Sequence, residues 1–350
     1  MAIDQLKSAL KAGELPGLLL FYGPEEYQKG YYREQVLKKV LAGKDEFSHM
    51  VLQGSGFTLD AFEDAVESIG FGSLGKLVEV SNLEFPKVKD AERKRFLALL
   101  ASLPEYTTVL FYYDAMFLPK DDYKKYKALL DAAGKNGIAS EFVEPDRASL
   151  AAWVKKQFAY HKKEISKEDV LFLLDYSEGT MAALKQETEK IALSVPGDTV
   201  TREDIRRITV KSQKAHIFDV SNAVVEQDYD RALRLIWELR CRKEEPISLA
   251  SALSGAFCEL YFTKACMDGG LVNAGEIAAQ YGIAPNRQFL IRRYVGMAQR
   301  TQLPFLRRCV EECMEADMDL KGSKVDKWER IERMIGKMLL TSQKNIRRTR

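Results

Sequence analysis

The chain has 350 residues, 46% of them hydrophobic and 30% charged, with 53 Lys and Arg against 51 Asp and Glu for a formal net charge of +2. That length suits two or three domains at roughly 100–200 residues each, within the range of ordinary globular chains. It excludes disordered, collagenous and membrane-bundle compositions, and so small a net charge excludes a nucleic-acid coat over the whole surface, leaving any DNA contact local.

The first residues, MAIDQLKSALKAGELPG, lack an apolar run long enough for a signal sequence. No later stretch approaches the ~20 apolar residues of a membrane span, so no membrane partner is expected and the cytoplasm is the expected compartment. Residues 1–143 alternate short β-branched or aromatic runs with helical periodicity, which predicts a parallel α/β domain. The predicted strands are Leu18–Tyr22, His49–Gln53, Lys76–Val80, Thr108–Tyr113 and Ile138–Val143. Between them, Thr58 is placed to cap a helix with Leu59, Phe62, Val66 and Ile69 on one face and Gly70 as its stop. Further helices are expected near Asp90–Ser102, closing before Pro104, and near Asp121–Ala133, stopping at Gly134.

From Glu144-Pro145 the strand signal disappears. Four short helices, near Arg147–His161, Lys167–Tyr176, Thr180–Leu193 and Thr201–Ile208, predict a small helical domain over 144–212, with Ser166 and Thr201 as caps. A third, all-helical domain over 213–342 follows, with segments near His216–Val225, Asp230–Cys241, Pro246–Met267, Ala274–Tyr281, Arg287–Gln299, Pro304–Asp317 and Lys324–Leu340. The tail 343–350 is basic and expected to fray. Cys241, Cys258, Cys266, Cys309 and Cys313 are an odd number without CxxC spacing and read as reduced structural thiols. Cys309 and Cys313 would share a helix face, as a metal half-site does, but no histidine lies nearby in sequence and no metal is expected.

After the first strand the chain reads Gly23-Pro-Glu25-Glu26-Tyr-Gln28-Lys29-Gly30, where a nucleotide-binding protein would carry GxxxxGK[ST]. Gly23 and Lys29 match. Gln28 replaces the second Gly, whose missing side chain lets amides close on phosphate, and Gly30 replaces the Ser or Thr that holds Mg²⁺. Glu25 and Glu26 would repel a triphosphate and compete for the helix N-terminus that attracts it. The third strand is followed by Ser81-Asn82, so the metal-binding acidic pair is missing as well. A P-loop-like turn after the first strand, an empty metal position after the third and then two helical regions, in that order, predict an AAA+-type body that has lost its ATP chemistry, with no cofactor and no catalytic residues.

The whole chain resembles the family of delta subunits of the bacterial DNA polymerase III clamp loader. The resemblance rests on Tyr22-Gly-Pro-Glu-Glu26, the segment Gly179–Ile191, Ile217-Phe218-Asp219-Val220, Glu276–Pro285 and Ala316–Ser323, in the family's order. It implies an AAA+-like α/β domain with parallel sheet, a helical lid and an all-α collar. It further implies a cytoplasmic DNA-replication protein, associated with the nucleoid through the replisome, without ATPase chemistry of its own though part of a polymerase holoenzyme. The implied partners are the sliding clamp (beta), the delta prime and tau or gamma subunits of a pentameric loader through the collar, and primer–template DNA within the complex.

In that family the clamp is gripped just after the second helix of the first domain, which here is Ser68-Ile69-Gly70-Phe71-Gly72-Ser73-Leu74-Gly75-Lys76-Leu77-Val78. Phe71 is the expected anchor, with Ile69 or Leu74 as the second; the other reading is that Gly70 ends the helix and Phe71 folds back upon it. Two other functions remain open. One is an active AAA+ ATPase. The other is a helix-turn-helix regulator reading DNA through Arg287, Gln288 and Arg292, although Phe289, Leu290, Ile291, Tyr294 and Val295 leave that helix little solvent-facing width. DNA contact could also use the run Lys87, Lys89, Arg93, Lys94 and Arg95, which a solvated helix face explains equally, or Lys321 and Lys324. His49, His161 and His216 lie far apart and read as surface or capping residues rather than catalytic ones.

Overall fold

The computed structural model describes residues 2–43, 48–68, 75–283, 288–322 and 325–346. The chain divides into two compact units, residues 1–144 and 145–350.

In the first unit, α1 (Ala2–Ala12) precedes β1 (Leu18–Tyr22), α2 (Glu26–Val40), β2 (His49–Gln53), α3 (Leu59–Glu67), β3 (Lys76–Ser81), α4 (Asp90–Ala101), β4 (Thr107–Tyr112), α5 (Lys127–Asn136) and β5 (Ile138–Glu141). All five strands are parallel, in the order β2-β3-β4-β1-β5. β1 is buried on both faces, as expected for an interior parallel strand, and successive side chains divide between two cores. Leu18 and Leu20 join Phe62, Phe96, Val109 and Phe111 on the side of α3, α4 and α5. Leu19 and Phe21 join Leu6, Val36, Leu110 and Phe142 on the side of α1 and α2. The sheet is thus the middle layer of three.

Several boundaries differ from the sequence reading. α1 was not expected. The helix expected over 121–133 begins instead as a 3₁₀ segment, Lys120–Tyr126, and α5 runs through Gly134. It stops at Gly137, where an added Cβ would lie 1.9 Å from the Leu18 carbonyl oxygen; only glycine lets the chain pass so close to β1.

The second unit begins with α6 (Arg147–Tyr160), α7 (Lys167–Tyr176), α8 (Met181–Ser194) and α9 (Arg202–Ile208) around Val154, Phe158, Leu173, Leu184, Ile191 and Ile205. Thr201 and Asp204 form a reciprocal capping box at α9. Contrary to the all-helical expectation, β6 (Glu164–Ile165) and β7 (Thr199–Val200) pair in parallel; two-residue strands carry no periodicity to read. Then come α10 (Gln213–Val225), α11 (Tyr229–Cys241), α12 (Pro246–Asp268), α13 (Ala274–Gln280), α14 (Gln288–Ala298), α15 (Leu303–Gly322) and α16 (Lys327–Ile346), the last continuing into the segment expected to fray. Leu249, Leu253, Phe257 and Leu260 of α12 lie at the centre of a second core, with Val220, Ile236, Cys309, Cys313 and Ile335 around them.

The two helical groups of this unit are tied together. Asp175 of α7 pairs with Arg147 of α6 at 2.9 Å and with Arg293 of α14 at 3.6 Å. The Arg293 guanidinium lies 3.7 Å from the centre of the Phe218 ring, and the Ser212 amide donates to the Tyr176 carbonyl at 2.8 Å. Among the described residues, no helix is long and apolar enough to cross a membrane.

Candidate functional site

The carboxyl ends of β1 and β4, side by side where the strand order reverses, form the crevice in which an open α/β sheet ordinarily takes a ligand. Gly23 turns the chain out of β1 at φ +106°, a region that favours glycine, and a Cβ there would lie 2.5 Å from the Phe142 carbonyl oxygen. The turn is cinched to β5: the Phe142 amide donates to the Tyr22 carbonyl at 2.7 Å, and the Glu25 amide to the Phe142 carbonyl at 3.0 Å.

Glu25 is the N-cap of α2 and accepts from the Tyr27 amide at 3.0 Å, so a carboxylate occupies the helix end that would otherwise attract phosphate. Burial pushes its carboxyl above the usual range, against the amides of Tyr27 and Gln28, which lower it; the charges of Glu144 and Glu26 raise it further. Lys29 is fully buried. Its Nζ donates to the Gly23 carbonyl at 2.8 Å, the Tyr113 carbonyl at 2.6 Å and Glu26 Oε1 at 2.9 Å, so all three ammonium protons are used inside the protein. Glu26 also accepts from the Ala115 amide at 2.6 Å and the Tyr112 hydroxyl at 3.2 Å. Gln28 is half-buried, and Gly30 has open space where a side chain would stand.

At the end of β3, Ser81 is the last strand residue and Asn82 takes φ +54°. The Asn82 side chain donates to the Asp114 carboxylate and accepts from the Asp114 amide at 2.9 Å, clipping the ends of β3 and β4 together. Sequence reasoning did not single out Asp114 or the Tyr113 carbonyl. The only available signal was their place just after an apolar run. His49 is half-buried on the edge strand β2 rather than free at the surface: it lies 3.1 Å from Glu79, a buried carboxylate that also receives Arg33 of α2. Burying Glu79 in the sheet requires these partners.

At the opposite edge, where β3 and β4 begin, lie the flanks of the proposed clamp-binding loop. Phe71, Ile69 and Leu74 themselves, with Gly70, fall outside the described residues. The flanks are held firmly. Lys76, nearly buried, donates to Ser68 Oγ at 3.0 Å and to the Ser68 carbonyl. The Thr107 hydroxyl donates to the Val66 carbonyl at 2.9 Å and the Tyr106 hydroxyl to the Glu67 carbonyl at 3.0 Å, satisfying carbonyls at the C-terminus of α3.

The basic run from Lys87 to Arg95, leading into α4, is largely neutralised. Lys87 pairs with Glu84, Lys89 with Glu92, Arg93 with Asp90, and Arg95 with Asp60 and Glu63. Lys321 pairs with Asp317, while Lys324 lies outside the described residues. Of the helix-turn-helix residues, Arg287 lies outside the described residues and Arg292 is exposed. Ile291 and Tyr294 bury the helix, and Arg293 turns inward upon Phe218 and Asp175. A buried helical hairpin fits this packing better than a groove-reading helix.

His161 is the C-cap of α6, as a capping residue should be, but His216 is buried in α10. Neither of its ring nitrogens has a hydrogen-bond partner among the described residues, and burial, with the charges of Lys211 and Arg242, pushes its pKa down to about 4 against the opposing charge of Asp219. Cys309 and Cys313 face the core, and burial raises both thiols, Cys313 to about 12. Among the described residues no three His, Cys, Asp or Glu side chains are grouped to hold a metal ion.

Two family models match the chain: DNA polymerase III, delta subunit, over residues 19–134, and DNA polymerase III delta subunit, C-terminal domain, over residues 214–338. DNA polymerase III subunit delta of Bacillus subtilis (strain 168) is 23% identical over 350 residues, covering 99% of both chains. The solved structure of the Bacillus subtilis DNA clamp loader delta protein matches with a TM-score of 0.63 at 21% identity, covering 97% of this chain and 99% of that one. The fold is therefore AAA+-like, a parallel-sheet domain followed by a largely helical part. With both ends of the chain matched in the same order and a relative aligned along nearly its full length, the protein belongs to the DNA polymerase III delta subunit family.

Proposed function

We propose that this protein is a clamp-loader subunit that binds and opens a ring-shaped sliding clamp during chromosome replication, without nucleotide chemistry of its own. The observation that carries the reading is the occupation of the nucleotide crevice by the protein's own Lys29 and Glu26, in a body of the delta family. An ATPase must offer that lysine to phosphate; here it is spent on two main-chain carbonyls and a carboxylate, which disfavours the active-ATPase alternative.

The clamp contact belongs to Phe71, with Ile69 or Leu74 as second anchor. A tethered base supports this reading, because a recognition loop whose flanks are fixed by Lys76, Thr107 and Tyr106 loses less freedom on binding. Three functional domains follow: the α/β body over 1–143, a lid over 144–212 and a collar over 213–342 that joins the other loader subunits, with the tail over 343–350. The separate hydrophobic cores of the two helical groups favour that division.

The test is retention of the purified chain on immobilised sliding clamp from the same cell, with no nucleotide added. Specific, saturable retention is expected. Failure to retain clamp, alone and with the other loader subunits present, overturns the reading.

A further inference from the structure

The sequence from Arg147 to Lys163 contains five Lys or Arg and no Asp or Glu. It forms α6, whose buried side is set by Val154 and Phe158, while Ala152, Lys155, Lys156, Ala159 and Tyr160 are all exposed. Their spacing of three and four places them on one face. Tyr160 is 80% exposed, and Lys162, just past the helix end, is exposed too.

Two structural uses of these charges fail. Arg147 is committed to Asp175, and Lys163 to the carbonyls of Val195 and Gly197 at 2.6 Å each, but Lys155, Lys156 and Lys162 have no acidic partner among the described residues. The helix macrodipole does not account for Lys155 and Lys156 either, because its effect is confined to the last turn and they precede it. The face is also unlike the run from Lys87 to Arg95, where neighbouring acids pair with most of the lysines and arginines.

We propose that this face of α6 is a contact for the sugar–phosphate backbone of DNA, read without regard to sequence; the choice of DNA as partner rests on the clamp-loader reading above. Lysine is a compact point charge suited to single phosphate oxygens. From Lys155 to Tyr160 the helix advances about 7.5 Å, with Lys162 in the left-handed turn just past its end, a length that spans about two phosphates at about 3.4 Å of axial rise per strand. Ala152 and Ala159 present no bulk to an approaching backbone, and the exposed Tyr160 ring offers a stacking surface to a sugar or an unpaired base.

The experiment measures binding of a fluorescent primer–template by the full-length chain, alone and within the assembled loader, across a salt series. The variant is Lys155→Gln/Lys156→Gln/Lys162→Gln, with Tyr160→Ala measured separately. All these side chains are exposed, so the melting temperature should hold. The expected result is an affinity loss of about tenfold or more at low salt, and a log–log salt slope shallower by roughly 2–3, equally for unrelated DNA sequences. Tyr160→Ala should weaken binding without changing the slope.

An unchanged slope in the triple variant, or no salt-dependent DNA binding by the wild type in either setting, overturns the proposal. So does wild-type binding to polyglutamate as tight as to DNA with the same loss in the variant, which would mark an acidic-protein surface. Clamp retention is measured in parallel and should be equal in wild type and variant. If the wild type retains no clamp while the triple variant still loses DNA, the clamp-loader reading fails and this one stands.

Discussion

The Nζ of Lys29 donates to the main-chain carbonyl of Tyr113 at 2.6 Å, joining the first turn of α2 to a residue 84 positions later, at the end of β4. A side chain that the loop motif would assign to phosphate is thereby an internal strut. It closes the ends of β1 and β4 and leaves the ligand crevice occupied from within.

Replacing this strut by an isosteric apolar chain, Lys29→Met, should destabilise the first unit by about 2–4 kcal/mol, since the Gly23 and Tyr113 carbonyls lose their buried donor. The half-exposed Glu26 should contribute little to that loss. Denaturant melts of wild type and variant measure it. An unaltered midpoint would mean the ammonium is not structurally engaged.

Mg-ATP should give no heat of binding in calorimetry at micromolar concentrations. The double substitution Gln28→Gly/Gly30→Ser, which restores the motif on paper, should not rescue it, because Lys29, Glu25 and Glu26 still fill the site. Micromolar binding by the wild type, or turnover abolished by Lys29→Ala, would revive the ATPase reading.

Phe71→Ser should lower clamp affinity roughly 30- to 1,000-fold, about 2–4 kcal/mol, the loss expected when an aromatic anchor leaves its pocket. Assembly with the other loader subunits should survive. Ile69→Ser and Leu74→Ser, measured alongside, locate the second anchor. If instead Phe71 packs on its own helix, the melting temperature should fall while clamp affinity holds.

His216 should make stability depend on pH. Its folded pKa, about 4, lies below the ordinary value of 6.5, so between these limits the unfolded chain binds the proton more readily. Stability contributed by the neutral ring is therefore complete above about pH 6.5 and is lost as pH falls towards 4, at no more than about 1.4 kcal/mol per pH unit. His216→Leu should flatten that part of the curve in urea melts. A variant as acid-sensitive as the wild type would assign the dependence to other groups.

Much of the scaffold could be read directly from local pattern. β1 and β2 occupy the residues expected of them, because an apolar or β-branched run bounded by turn signals is a local property. Caps such as Thr58, Ser166 and Thr201 are equally local, since each needs only an amide two or three residues ahead. The degenerate loop was legible for the same reason: Gln28, Gly30 and the two glutamates are adjacent in the chain.

Tertiary structure alone decided what those residues do. Which carbonyl receives Lys29, why glycine is required at position 137, how Arg33 and His49 neutralise Glu79, and that His216 is buried all depend on which distant segments become neighbours. That Lys155 and Lys156 of α6 have no acidic partner among the described residues belongs here too, because a run of charge in sequence does not reveal whether acids from another element will meet it, as Asp60 and Glu63 of α3 meet Arg95 of α4. Sequence specifies backbone preference over a few residues; the partners of a buried charge are chosen by strand order and helix packing, where the cost of leaving a polar group unsatisfied is incurred.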